Sequence, residues 1–169
     1  MKSLLYIMLI CAGMFALASC EKKDYPTGVT ESEHHYYAIF VPNNNSGVTV
    51  ARTQTDLLKF PVQFYSTFNR AYDAVAKYAV VTSGISGLAA NGVDFNIVDK
   101  NGTVIPTADS TYTIVFPKAR QAMDTIYIQL LNNPVSGVRK FEIQMQDNIT
   151  PQFDVDIFST AFRRPVQIN

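Results

Sequence analysis

Hydrophobic and polar positions divide the chain into three stretches with different patterns. From Leu4 to Leu17 no residue is charged, and Lys2 stands just ahead of that run. A basic start, an apolar run and small residues at its end predict a cleaved N-terminal signal helix over residues 1–19. From Glu21 to Glu33 the residues are charged, small or turn-forming, a composition that buries no core. Residues 20–33 are therefore expected to form a flexible tether, which at about 5–6 Å × √n holds the following domain roughly 20 Å from its start. From residue 34 onward the hydrophobic period is two almost throughout, the signature of strands with one buried face.

The strand signals come in order. His35 to Val41 is aromatic and β-branched, and the turn residues Pro42-Asn43-Asn44-Asn45-Ser46-Gly47 close it. Val48 to Thr53 is a short strand. Leu58, Phe60, Val62 and Phe64 alternate with Lys59, Pro61, Gln63 and Tyr65. Pro61 has no N–H to donate, which predicts an edge strand or a bulge there. Phe68, Tyr72, Val75, Ala76 and Ala79 fall at helical spacing, yet Tyr78 to Thr82 is strand-like. A strand over 74–82 is expected, with a short helix over 68–82 as the alternative. Val93, Phe95 and Ile97 alternate toward Asn101-Gly102, a tight-turn pair, and Thr103 to Ile105 returns. Further apolar faces follow at Tyr112/Ile114/Phe116, Ile126/Ile128/Leu130, Phe141/Ile143/Met145 and Phe153/Val155/Ile157. About 8–9 short strands separated by turn residues predict an all-β, immunoglobulin-like antiparallel β-sandwich forming a single domain over residues 34–169.

The end of the first apolar run, Leu17-Ala18-Ser19-Cys20, resembles the lipobox of bacterial lipoproteins. That resemblance implies that the Cys20 thiol carries a diacylglycerol, that residues 1–19 are removed, and that the new amino terminus is acylated. Two other readings of the run stand beside it. A retained anchor needs about 20 apolar residues, more than are present, and Ala16-Leu17-Ala18 also fits ordinary signal cleavage. Cys11 has no small residue before it in Met8-Leu9-Ile10. Glu21-Lys22-Lys23-Asp24 is partly similar to the acidic export signal of Bacteroidota surface lipoproteins. The expected location is the cell envelope, lipid-anchored at the outer membrane, on either its surface or its periplasmic face.

Composition narrows the partners. Lys+Arg and Asp+Glu are both 14, and losing Lys2 leaves a net charge of about −1, with no basic patch to hold nucleic acid. After cleavage the remaining cysteine is the lipidated one, so no disulfide forms within the mature chain and stability rests on the core.

Gly92-Val93-Asp94-Phe95, Phe116-Pro117-Lys118-Ala119 and Thr125-Ile126-Tyr127-Ile128, followed by the aromatic-led strand from Phe141, resemble a Calx-beta-type immunoglobulin-like domain. The mature chain as a whole is similar to small Bacteroidota lipoproteins of unknown function. Calcium-binding members of the Calx-beta type carry an acidic run after the Ile-x-Ile strand. Here that place holds Asn132-Asn133-Pro134, and Asp94 alone does not supply the six to eight oxygens a calcium ion takes. No metal or other cofactor is expected.

The remaining candidate chemistry is sparse. His34 and His35 are adjacent, and strand neighbours point to opposite faces, so they do not chelate one ion together. Gly84-Ile85-Ser86-Gly87 lacks the Gly-x-Ser-x-Gly spacing of a nucleophile elbow. No catalytic residue is assigned, and an enzyme is not expected. Asp154 and Asp156 share one strand face, where solvated carboxylates are commonplace. Asp109-Ser110-Thr111 and Asp124-Thr125-Ile126 resemble the acceptor of Bacteroidota O-glycosylation, which marks Ser110 and Thr125 as candidate sites. Tyr36, Tyr37 and Tyr72 are candidate ligand contacts, with Tyr65 and Tyr78 also considered for a stacking platform. The expected function is that of a non-catalytic accessory binding or interaction module of the outer membrane. It is held in the membrane by Cys20 and has an outer-membrane protein as partner. The alternatives are a surface glycan-binding lipoprotein beside a polysaccharide uptake system, weak for want of tryptophan, and a structural or adhesion module.

Overall fold

The computed structural model describes residues 35–66, 70–118 and 121–169. The lipobox, Cys20, the tether, His34 and Phe68 lie outside the described residues. Eleven strands run in chain order: β1 (His35–Phe40), β2 (Val48–Val50), β3 (Leu58–Tyr65), β4 (Ala74–Val81), β5 (Phe95–Val98), β6 (Thr111–Phe116), β7 (Gln121–Leu130), β8 (Arg139–Gln146), β9 (Asn148–Ile149), β10 (Asp154–Asp156) and β11 (Arg163–Ile168). They form a six-stranded sheet, β5-β7-β3-β1-β10-β9, and a five-stranded sheet, β2-β11-β8-β4-β6. The all-β sandwich predicted from the period-two pattern is the fold observed, with β9 and β11 as strands the pattern did not mark.

Alternation places the core. In β8 Phe141, Ile143 and Met145 turn inward while Glu142 and Gln144 are half-buried on the other face. The aromatic layer joins the sheets: Phe95 stacks on Phe141 with centroids 4.1 Å apart, and Phe64 on Phe116 at 4.8 Å. Burying such rings is the main favourable term in a domain without crosslinks.

One open choice is decided and two expectations need correction. The strand at 74–82 is β4, ending at Val81, so the helical alternative fails over the described part of that segment. The sandwich is not wholly antiparallel, because β1 runs parallel to β10 and β11 parallel to β2. Pro61 lies on neither an edge strand nor a bulge, since β3 sits between β7 and β1. Its position is tolerated because the ladder with β1 closes there: Val41 N–H donates to the Pro61 carbonyl at 2.9 Å, and the missing N–H falls on the last rung. Beyond it β1 gives way to the Pro42 turn, and an open cleft of about 760 Å³ lies beside Lys59, Phe60, Lys100 and Tyr127.

Arginines fasten the loops. Arg164, 3% exposed, donates to the Pro42 and Asn44 carbonyls with its guanidinium 5.0 Å from the Phe40 ring centroid. Arg70 lies over Phe64 at 4.2 Å and donates to the Pro117 carbonyl at 2.8 Å. Burial pushes both guanidinium pKa values below the ordinary arginine value.

Candidate functional site

Strand β1 sends the predicted tyrosines Tyr36 and Tyr37 to opposite sides of the six-stranded sheet. Successive residues of a strand point to opposite faces, so Tyr36 and Tyr37 cannot share a surface. Tyr36 turns inward, 2% exposed, where its hydroxyl lies 2.8 Å from that of Tyr72 and its ring 5.4 Å from Phe64. That removes Tyr36 from the surface as a ligand contact. Burial, and then the bond to Tyr72, push its phenol well above the ordinary tyrosine value. Tyr72 is half-buried and stacks on Phe153 at 5.6 Å, closing this end of the core. Tyr78 is also internal, stacked on Tyr112 at 5.2 Å.

Tyr37 points out. It lies directly opposite Tyr65 in the β1–β3 register, and cross-strand partners share a face. Tyr37 is 43% and Tyr65 49% exposed. Phe158 meets Tyr37 edge-on with centroids 5.7 Å apart. Met123, 62% exposed, is the partner of Gln63 on β7 and so lies diagonal to Tyr65. Tyr37, Tyr65, Met123 and Phe158 thus form one apolar patch on the outer face of the six-stranded sheet. Gln63 and Gln121 lie within the same face, and Asp156, the register partner of Tyr37 on β10, stands at its rim. Met123 and Phe158 escaped the sequence reading. Met123 lies ahead of the apolar positions that mark β7, and Phe158 lies in the 157–162 connection.

The acidic candidates are occupied within the fold. Asp94 is 7% exposed; its Oδ2 accepts from Ala90 N–H at 2.7 Å and its Oδ1 from Asn133 Nδ2 at 2.8 Å. The loop at 132–137 already surrounds a cation of the chain itself: Arg52 donates to the carbonyls of Asn133, Val135 and Gly137. Among the described residues no group of three His, Cys, Asp or Glu side chains is placed to hold a metal. Asp154 and Asp156 share the outer face of β10, with Val155 buried between them. We expect millimolar calcium to leave the melting temperature unchanged, because only binding to the native state raises it. Arg52→Ala, which strips three carbonyls of a charged donor, should lower stability by about 1–3 kcal/mol. A chelator-reversible rise of several degrees in the native chain would contradict this.

The modification candidates differ in setting. Ser110 is exposed at the tip of the turn before β6, with φ +61°. Asp109 beside it accepts from the Thr111 N–H, which holds its carboxyl below the usual carboxylate range. Thr125 is half-buried within β7 opposite Pro61, and its N–H donates to Asp124 Oδ1 at 2.7 Å. Ser86 is exposed in the 83–87 loop.

No protein-family model matches the chain, and no curated protein matches it. Among solved structures it is similar to the apo form of the Calx CBD1 domain, with 14% identity and a TM-score of 0.47 over 79% of this chain and 97% of that one. It is also similar to the calcium binding domain CBD12 of CALX1.1, with 14% identity and a TM-score of 0.42 over 78% of this chain and 44% of that one. A third similar chain comes from the complex of a CaDoc0917 variant with CaCohA2, with 11% identity and a TM-score of 0.42 over 79% and 99% of the two chains.

Proposed function

We propose that this chain is a non-catalytic binding module of the cell envelope. It is anchored at the outer membrane through acylated Cys20 and engages a protein partner with the outer face of its six-stranded sheet. The observation that carries this reading is the patch of Tyr37, Tyr65, Met123 and Phe158. An outward sheet face is ordinarily polar, and a contiguous exposed apolar patch marks an interaction surface. Tyrosine, phenylalanine and methionine are the residue types enriched at protein interfaces. A second reading, a glycan as ligand, is favoured by the Tyr37–Tyr65 pair, since two rings side by side on a sheet make a sugar-stacking platform.

Two measurements test the proposal. Metabolic labelling with a fatty-acid probe should mark the native chain and not the Cys20→Ser variant; label persisting in that variant would remove the anchor. A crosslinking pull-down from envelopes should recover a partner that Tyr37→Ala/Tyr65→Ala loses at least about tenfold, the effect of about 1.4 kcal/mol of contact energy. Retention by a polysaccharide in affinity electrophoresis, lost in the double variant with no protein recovered, would establish the glycan reading instead.

A further inference from the structure

The five-stranded sheet ends in β6, Thr111-Tyr112-Thr113-Ile114-Val115-Phe116, a strand with no charge and no proline. Which of its backbone groups face outward follows from its register. Val80 N–H donates to the Ser110 carbonyl at 3.2 Å, so the Val80–Ser110 pair is a hydrogen-bonded one. Such pairs alternate along an antiparallel ladder. Tyr112, Ile114 and Phe116 therefore turn their N–H and C=O groups to β4, and Thr111, Thr113 and Val115 turn theirs to the open edge. Thr111 is satisfied locally: its N–H donates to Asp109 Oδ1 at 3.0 Å and its carbonyl accepts from Thr107 Oγ1 at 2.9 Å. Thr113 and Val115 are both exposed, Val115 at 53%. Among the described residues no strand pairs with their outward backbone groups, which form an open edge of the kind sheet proteins normally cover, charge or shorten.

We infer that a second copy of this chain pairs with that edge, β6 against β6, antiparallel about a two-fold axis at Ile114. In this register Thr113 of one copy exchanges N–H···O bonds with Val115 of the other, and Val115 with Thr113, giving four bonds in all. The sequence fits itself at both ends. The next rung would join Thr111, whose groups are already used, to Pro117, which has no N–H, so the two positions unable to pair fall opposite each other. One residue further, exposed Lys118 comes opposite Ser110 beside the Asp109 carboxylate, an opposite-charge contact made twice by symmetry. On the outer face the exposed Val115 gains a β-branched neighbour, Thr113 of the second copy. The contact is isologous and closes at two copies, joining two five-stranded sheets into one. Four backbone bonds give a weak association in dilute solution, and confinement of tethered copies to one membrane strengthens it without new contacts.

Cysteines test the register. Full chain carrying Thr113→Cys and Val115→Cys should give, under oxidation, a band at twice the monomer mass that the native chain and an equally exposed Tyr65→Cys control lack. Val115→Pro deletes an N–H that the monomer does not use, so it should keep the β-sheet circular dichroism and melting temperature while abolishing the dimer in sedimentation. A cysteine pair that crosslinks no better than the Tyr65→Cys control would overturn the inference. So would a pair that crosslinks only to a different protein, or a dimer that survives Val115→Pro.

Discussion

Phe95→Ala is expected to cost about 3–5 kcal/mol, the range for emptying a buried aromatic site. Phe95 is fully buried, and its ring lies 4.1 Å from Phe141 at an interplanar angle of 15°, so it joins an edge strand of one sheet to a central strand of the other. β5 is only four residues long, and the neighbouring Asp94 and Gly92 depend on its position: Gly92 N–H donates to the Phe95 carbonyl at 2.8 Å, and Asp94 reaches Asn133 across the loop. Losing the ring therefore releases β5 as well as leaving a void. A domain of this size has about 5–15 kcal/mol in hand, so the melting temperature should fall by about 10–20 °C. Val93→Ala, two residues away and 55% exposed, should stay within about 0.5 kcal/mol. Equal effects from the two substitutions in thermal or urea unfolding would mean that the Phe95–Phe141 contact does not hold the sheets together.

Above pH 10 the domain should lose stability steeply. Burial raises the phenols of Tyr36, Tyr78 and Tyr112 above the ordinary value of 10.0, with the Tyr72 hydroxyl adding to the effect at Tyr36, and Tyr112 and Asp124 adding to it at Tyr78. The folded state thus keeps protons that the unfolded chain gives up. The stability these groups contribute is full below pH 10 and lost as pH rises from there toward their folded values. Each phenol removes about 1.4 kcal/mol per pH unit between its unfolded and folded values, a steep loss against a stability of about 5–15 kcal/mol. Followed by tyrosinate absorbance and far-ultraviolet circular dichroism together, these three phenols should ionise in step with loss of the β-signal. Complete ionisation near pH 10 with the sheet signal retained would show that they are not shielded.

The core was largely written in the alternation. Leu58/Phe60/Val62/Phe64 and Phe141/Ile143/Met145 lie inward as their period requires, and Asn101-Gly102 turns where expected, with Asp99 Oδ1 accepting from Asn101 and Thr103 N–H groups. What escaped was long-range pairing. Nothing local to His35–Tyr37 shows that they run beside Asp154–Asp156, more than a hundred residues on. The exposed face was only half legible for a related reason. In β1 the even positions Tyr36, Ala38 and Phe40 and the odd positions Tyr37 and Ile39 are all apolar or aromatic, so no alternation marks the inner face. Pairing with β3 decides it, because Phe64 lies inward and Tyr65 outward. The sequence shows that Asp94 lacks the companions of a calcium site but not what it does; its hydrogen bonds to Ala90 and Asn133 appear only once residues 39 apart are brought together.

The proposed binding face is tested most directly by a photo-crosslinking residue at position 65 of the full chain in cells, beside the same residue at position 77 on the other sheet. We expect one envelope protein to be captured from position 65 and none from position 77. Equal capture at both positions, or no capture from position 65 in cells where the chain is membrane-bound, would contradict a partner on the Tyr37–Tyr65 face.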